Sequence, residues 1–248
     1  MSAPRVMGII PARLASTRFP RKVLANATGK PLIRHVWENA RRATALHDLC
    51  IATDTTEVAR ACEAFGARVV MTDAHHPNGT SRLAQAAREL RLSSDTIVVN
   101  IQGDEPELES AAINAAVAAL HADPHASVAT IASPFTPEQS PTNPAIVKVV
   151  VSRAHRALYF SRSLIPFPRD TDADAPPLRH VGLYAYRAAF LETYASLAPT
   201  PLERAESLEQ LRVLEHGFAI AVAVCKCDAT GIDTPEQYAA FVARQRER

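Results

Sequence analysis

The sequence predicts an α/β fold: a Rossmann-like, mostly parallel sheet flanked by helices, with a smaller antiparallel sheet inserted into it. Three observations carry this. Short apolar runs alternate with helix-period segments through the first hundred residues. A Pro-rich stretch at 134–144 breaks that rhythm, and the strand patterns after it are longer. From Pro201 onward, helix and strand alternate again.

Val6–Ile10, Leu49–Thr53, Arg68–Thr72 and Thr96–Asn100 are near-continuous apolar runs, the pattern of strands buried on both faces. Between the first two, Pro31 suits a first helical turn, and Leu32, His35/Val36, Asn39/Ala40 and Ala43 recur at helical spacing. Thr55–Phe65, Thr80–Leu92 and Ser110–Leu120 repeat that spacing, and Val128–Ala132 is the next strand. Ala145–Val151, Ala157–Ser163 and His180–Arg187 then read as antiparallel strands, the last two separated by a Pro-rich loop. Residues 134–187 therefore form an expected insertion within one 248-residue domain, carrying an extra sheet or a dimer surface. The helix Pro201–His216, the strand Phe218–Val224 and the helix Pro235–Gln245 complete the chain.

Basic and acidic residues nearly cancel, 27 against 26, which argues against a nucleic-acid tract or a membrane surface and makes any anion site a local one. No apolar stretch is long enough to span a bilayer and the N-terminus has no signal-like core, so a cytoplasmic protein is expected. Cys50, Cys62, Cys225 and Cys227 lack zinc-site spacing and read as free, buried thiols.

Open sheets bind ligands beyond the carboxyl ends of their strands. After Val6–Ile10 comes Pro11–Lys22, with the cations Arg13, Arg18, Arg21 and Lys22 beside the hydroxyls of Ser16 and Thr17. Guanidinium forks and a lysine point charge suit a polyphosphate. The loop has neither the Walker nor the GxGxxG pattern, which weighs against a P-loop ATPase and a dinucleotide-binding dehydrogenase. A solvated basic loop is the bland alternative. After Thr96–Asn100 stands Gln102-Gly103-Asp104-Glu105-Pro106, and Asp104 suits a nucleotide-bound Mg²⁺, which takes one or two carboxylates. Asp233, before Thr234-Pro235, reads by itself as a helix N-cap.

Pro11-Ala-Arg-x-x-Ser-Thr-Arg-x-Pro-x-Lys22 resembles the CTP loop of the CMP-Kdo synthetases, the 3-deoxy-manno-octulosonate cytidylyltransferases. Gln102–Pro106 and Gly231-Ile-Asp-Thr-Pro-Glu236 resemble that family's acidic motifs. Further matches are Asn78–Arg82, Ala157–Arg162, Arg179–Arg187 and Pro201–Arg212, so the likeness runs nearly end to end.

The resemblance implies a nucleotidyltransferase-type fold and a homodimer that moves CMP from CTP to Kdo with release of pyrophosphate. It implies CTP binding by Arg13, Ser16, Arg18 and Lys22, with Lys22, Asp104 and Asp233 catalytic and both aspartates on Mg²⁺. Arg82, Gln102, His180, Tyr184, Glu206 and Gln210 would form the acceptor pocket. Three positions depart: Arg21 where Gly is common, Asn78 for Ser, and Ser81 for Asp or Glu. The last two leave open CMP transfer to a phosphonate such as phosphonoformate, or a CTP-binding regulator without turnover. A nucleotide-sugar glycosyltransferase, suggested by the acidic pair Asp104-Glu105, is disfavoured by the basic loop.

Overall fold

The computed structural model describes residues 4–76, 79–170 and 174–247. Nine strands share one sheet, with the order β3-β2-β1-β4-β8-β5-β9 along its main path. β1 (Val6–Ala12), β2 (Asp48–Thr53), β3 (Arg68–Met71) and β4 (Ile97–Asn100) pair in parallel, with helices α1 (Leu32–Ala40), α2 (Thr56–Glu63) and α3 (Gly79–Glu89) between them. α4 (Ser110–Ala122) leads to β5 (Ala126–Pro134).

The antiparallel strands expected in 134–187 are present, but they join the main sheet. β6 (Lys148–Val151) and β7 (Ala157–Ser161) form a hairpin that hangs from β8 (Leu178–Arg187). β8 itself runs antiparallel between β4 and β5. Its apolar residues bury both faces of the main sheet, a demand that local periodicity cannot distinguish from a separate layer. α5 (Ala188–Ser196) follows β8 directly, then α6 (Pro201–Glu206), α7 (Gln210–Glu215), β9 (Ala219–Val224) and α8 (Pro235–Arg246). The single helix expected over 201–216 is thus two, because Ser207 takes a left-handed backbone, φ 52°, that ends α6.

Alternation along the strands sends Val6, Ile10, Ile97 and Val99 into a core under α1, α2 and α4. Met7, Ile9 and Val98 enter the opposite core under α3, α5 and α7. The four cysteines are free; Cys50, Cys62 and Cys227 are buried and Cys225 half-buried. None of the described helices is long and apolar enough to cross a membrane.

Candidate active site

The carboxyl ends of β1 and β4 open beneath the two loops that the sequence singles out. Beyond β1 the basic loop folds back on itself, with the Arg21 amide donating to the Leu14 carbonyl at 3.2 Å. Ser16 Oγ accepts the Phe19 amide at 3.4 Å, and Lys22 opens a short 3-10 turn. Beyond β4, Gly103 lets the acidic loop pass against β1: a Cβ there would lie 2.6 Å from the Pro11 carbonyl oxygen. The 231–233 segment is tied to the same loop by the Ile232 amide, which donates to the Asp104 carbonyl at 2.8 Å.

Lys22 gathers these pieces. Its Nζ lies 2.6 Å from Asp104 Oδ2, 2.9 Å from Asp233 Oδ1 and 3.0 Å from the Ile232 carbonyl oxygen. Arg18 adds an ion pair to the other oxygen of Asp233 at 2.9 Å. Burial alone would lower the Lys22 pKa, but the Asp104 and Asp233 carboxylates outweigh it and raise the value. The same pairing with Lys22 and Arg18 holds Asp233 below its usual range despite partial burial. Asp233 is not the cap expected of it. Thr234 caps α8 through the Gln237 amide in a capping box, which leaves the Asp233 carboxylate outside the helix and free to face Lys22. Glu105, behind Asp104, is pushed up to about 7, first by burial and then by the neighbouring Asp104 carboxylate.

Two adjoining cavities meet here. The larger, about 680 Å³, is lined by Arg13, Ser16, Arg18, Lys22 and Asp104 among others. The smaller, about 310 Å³, is lined by Asn100, Gln102, Tyr184, Tyr186, Tyr194 and Gln210, with Glu209 at its junction with the larger one. Gln102 also borders both, with its side-chain amide donating to the Gly182 carbonyl at 3.3 Å. Every nucleotide-binding residue expected from the sequence therefore reaches one cavity, while Gln102, Tyr184 and Gln210 reach the other.

Three acceptor expectations come out differently. Arg82 borders the larger cavity, but its guanidinium is already held by Thr72 at 2.6 Å, Asp54 at 2.8 Å and the Asp73 carbonyl. It pins α3 to the ends of β2 and β3. His180 lines neither cavity: the Thr130 hydroxyl holds its Nε2 at 2.9 Å, Phe160 packs on its ring, and burial pushes its pKa down to about 3. Glu206 turns away, accepting from Ser161 Oγ at 2.6 Å and from the Arg162 amide at 2.9 Å. The break at Ser207 removes the shared helical face expected for Glu206 and Gln210. Arg21 also leaves the cavity and pairs with Glu57 on α2. Asn78 lies outside the described residues.

Asn100, Tyr186, Tyr194, Glu209 and His76 are site residues that sequence reasoning missed. Two were legible: Tyr186 is two strand positions from Tyr184, and Glu209 precedes Gln210. Tyr194 sits on α5, which no turn residue separates from β8. Burial raises the pKa of all three tyrosines, so they remain protonated donors in this cavity.

A basic loop and an acidic pair facing one another across the carboxyl edge of such a sheet define a nucleotidyltransferase. A profile of the cytidylyltransferases matches residues 7–221. The 3-deoxy-manno-octulosonate cytidylyltransferase of Syntrophobacter fumaroxidans is 52% identical over 96% of both chains. That of Solibacter usitatus is 47% identical over 94% of this chain and 91% of its own. A solved CMP:2-keto-3-deoxy-manno-octonic acid synthetase complexed with CTP superposes with a TM-score of 0.91 at 37% identity, covering 98% of this chain and 99% of that one. A cytidylyltransferase from Leptospira borgpetersenii, 16% identical with a TM-score of 0.64, shares the fold, covering 99% of this chain and 88% of its own. The chain belongs to the 3-deoxy-manno-octulosonate cytidylyltransferase family, the CMP-Kdo synthetases.

Proposed function

We propose that this protein transfers CMP from CTP to Kdo and releases pyrophosphate. The observation that carries the reading is the pair of joined cavities, one basic and one uncharged apart from Glu209, meeting at Gln102 and Glu209 beside Asp104 of the larger cavity. Triphosphate in the larger cavity would face Arg13, Arg18, Lys22 and the Ser16 hydroxyl. The smaller cavity offers an acid sugar's hydroxyls the Tyr184 phenol, the Gln210 amide and the Glu209 carboxylate. No Lys or Arg is among its described lining residues, so an acceptor's anionic group would turn toward the cations of the larger cavity while its hydroxyls fill this one.

The acceptor's anomeric oxygen would attack the α-phosphorus. A new O–P bond forms, the bond to the bridging oxygen breaks, the hydroxyl proton passes to solvent and pyrophosphate departs. Arg13 and Arg18 would stabilise the leaving charge, and Gln102 would orient the acceptor beside Asp104. Asp104 and Asp233 fit a hard divalent cation such as Mg²⁺, since one ammonium already touches both carboxylates. Among the described residues no cluster of three or more possible ligands exists, so phosphate oxygens and water would complete the shell. When bound, such an ion polarises the α-phosphate and lowers the pKa of an attacking hydroxyl. The use of CTP as a substrate supports a cytoplasmic enzyme.

Pyrophosphate release from CTP and Mg²⁺ tests the reading. Kdo should support it and phosphonoformate should not; the reverse result, or CTP binding without turnover across acceptors, overturns it. Asp104→Asn should lower turnover by roughly a thousandfold, and full activity would remove Asp104 from the chemistry.

A further inference from the structure

We propose that Lys22 is a resident counter-ion of the metal site, and that triphosphate must draw it away before a divalent cation can bind there. This rests on the reading of Asp104 and Asp233 as metal ligands.

An ammonium has three N–H donors. Those of Lys22 are all engaged, by Asp104, Asp233 and the Ile232 carbonyl, and its side chain is only 12% exposed. None remains for a phosphate oxygen in this arrangement. Conversely, both carboxylates that would hold a metal are already neutralised, and Arg18 covers the second oxygen of Asp233. A free divalent ion meeting this site would have to shed part of its water shell and disrupt three ion pairs, gaining two carboxylates in return.

Triphosphate changes both sides of that exchange. It brings several negative charges to Arg13, Arg18 and Lys22, which line one cavity, and competes directly for the two cations on Asp233. As Lys22 and Arg18 turn to the phosphates, the carboxylates lose their counter-ions beside a ligand that itself carries metal-binding oxygens. Nucleotide and metal then bind with positive coupling. Lys22 thus serves the carboxylates first and the triphosphate second.

Two measurements test this. The Lys22 ammonium, buried and fully hydrogen-bonded, should give an observable ¹H–¹⁵N signal, identified by its loss in Lys22→Met. Millimolar Mg²⁺ alone should leave that signal in place, while CTP in EDTA should shift it. Mn²⁺ titration followed by electron paramagnetic resonance, without nucleotide, should show Lys22→Met binding one ion about tenfold more tightly than the wild type. That gain should vanish in Lys22→Met/Asp104→Asn. Displacement of the signal by Mg²⁺ alone, or no gain in Lys22→Met, overturns the proposal; should Lys22→Met not fold, loss of the ammonium signal in Lys22→Arg assigns it and the wild-type response to Mg²⁺ and CTP decides. If Asp104→Asn leaves Mn²⁺ binding in the presence of CTP unchanged, the assignment of the metal ligands falls first.

Discussion

At position 21 the backbone lies at φ 61°, a region open to glycine and costly to other residues by about 1–2 kcal/mol. Arg21 occupies it, and its side chain points to Glu57 and away from the cavity. Arg21→Gly should therefore leave CTP affinity unchanged and raise stability by at most about 1 kcal/mol, since an exposed ion pair contributes little. Binding titration and thermal melting check both halves. Gly103 is the opposite case. A Cβ there strikes β1 backbone, which has no rotamer to give, so Gly103→Ala should cost about 1–3 kcal/mol and displace Asp104 from Lys22. Urea denaturation together with pyrophosphate release would show loss of both stability and turnover; a fully active, equally stable variant would refute the close approach. Neither role is visible from residue type alone. In sequence Arg21 counts as a fourth cation of the loop, and only the backbone angle reveals that it faces α2.

Among elements, the β6–β7 hairpin is fastened to the body by charge. Arg156, in the turn before β7, grips Asp123 after α4, with one nitrogen at 2.8 Å. That contact, reinforced by the His125 and Ala126 amides, holds the Asp123 carboxyl down to about 2 from an ordinary 3.8. The folded value lies below the unfolded one, so the stabilisation is complete above about pH 4 and disappears as pH falls through 2. With Arg156 38% exposed, solvent screening leaves the pair only a small contribution. Arg156→Ala should show that deficit at pH 7 in urea titrations and converge with the wild type near pH 2. Parallel strands, their helices and the Asp104 loop were legible in the sequence because buried apolar runs and strand-end loops are local patterns, whereas Asp233 by itself read as a helix cap and entered the site only through the resemblance. The neighbours of β8 were not legible, since pairing partners are set by non-local packing, and Glu206 misled because a left-handed Ser207 breaks a helix that periodicity continues.

For the whole molecule, residues 134–187 combine two exposed apolar side chains, Leu158 at 61% and Phe167 at 79%. We propose, from the family resemblance, that this segment carries a self-association surface to which Leu158 and Phe167 contribute. Leu158→Asp/Phe167→Ser should sediment as a monomer where the wild type sediments as a dimer; identical profiles would place the interface elsewhere. The position of β8 has a further consequence, for biosynthesis. β4 and β5 are separated by a single helix in the chain, yet the strand that joins them in the sheet ends only at Arg187. A nascent polypeptide emerging from the ribosome can assemble β3-β2-β1-β4, with the triphosphate loop in place, long before Tyr184 exists. The triphosphate loop and Asp104 are thus made early and the acceptor cavity late. Closure of the sheet by β8 joins them, and Glu209, Gln210 and Asp233, later still in the chain, complete the site.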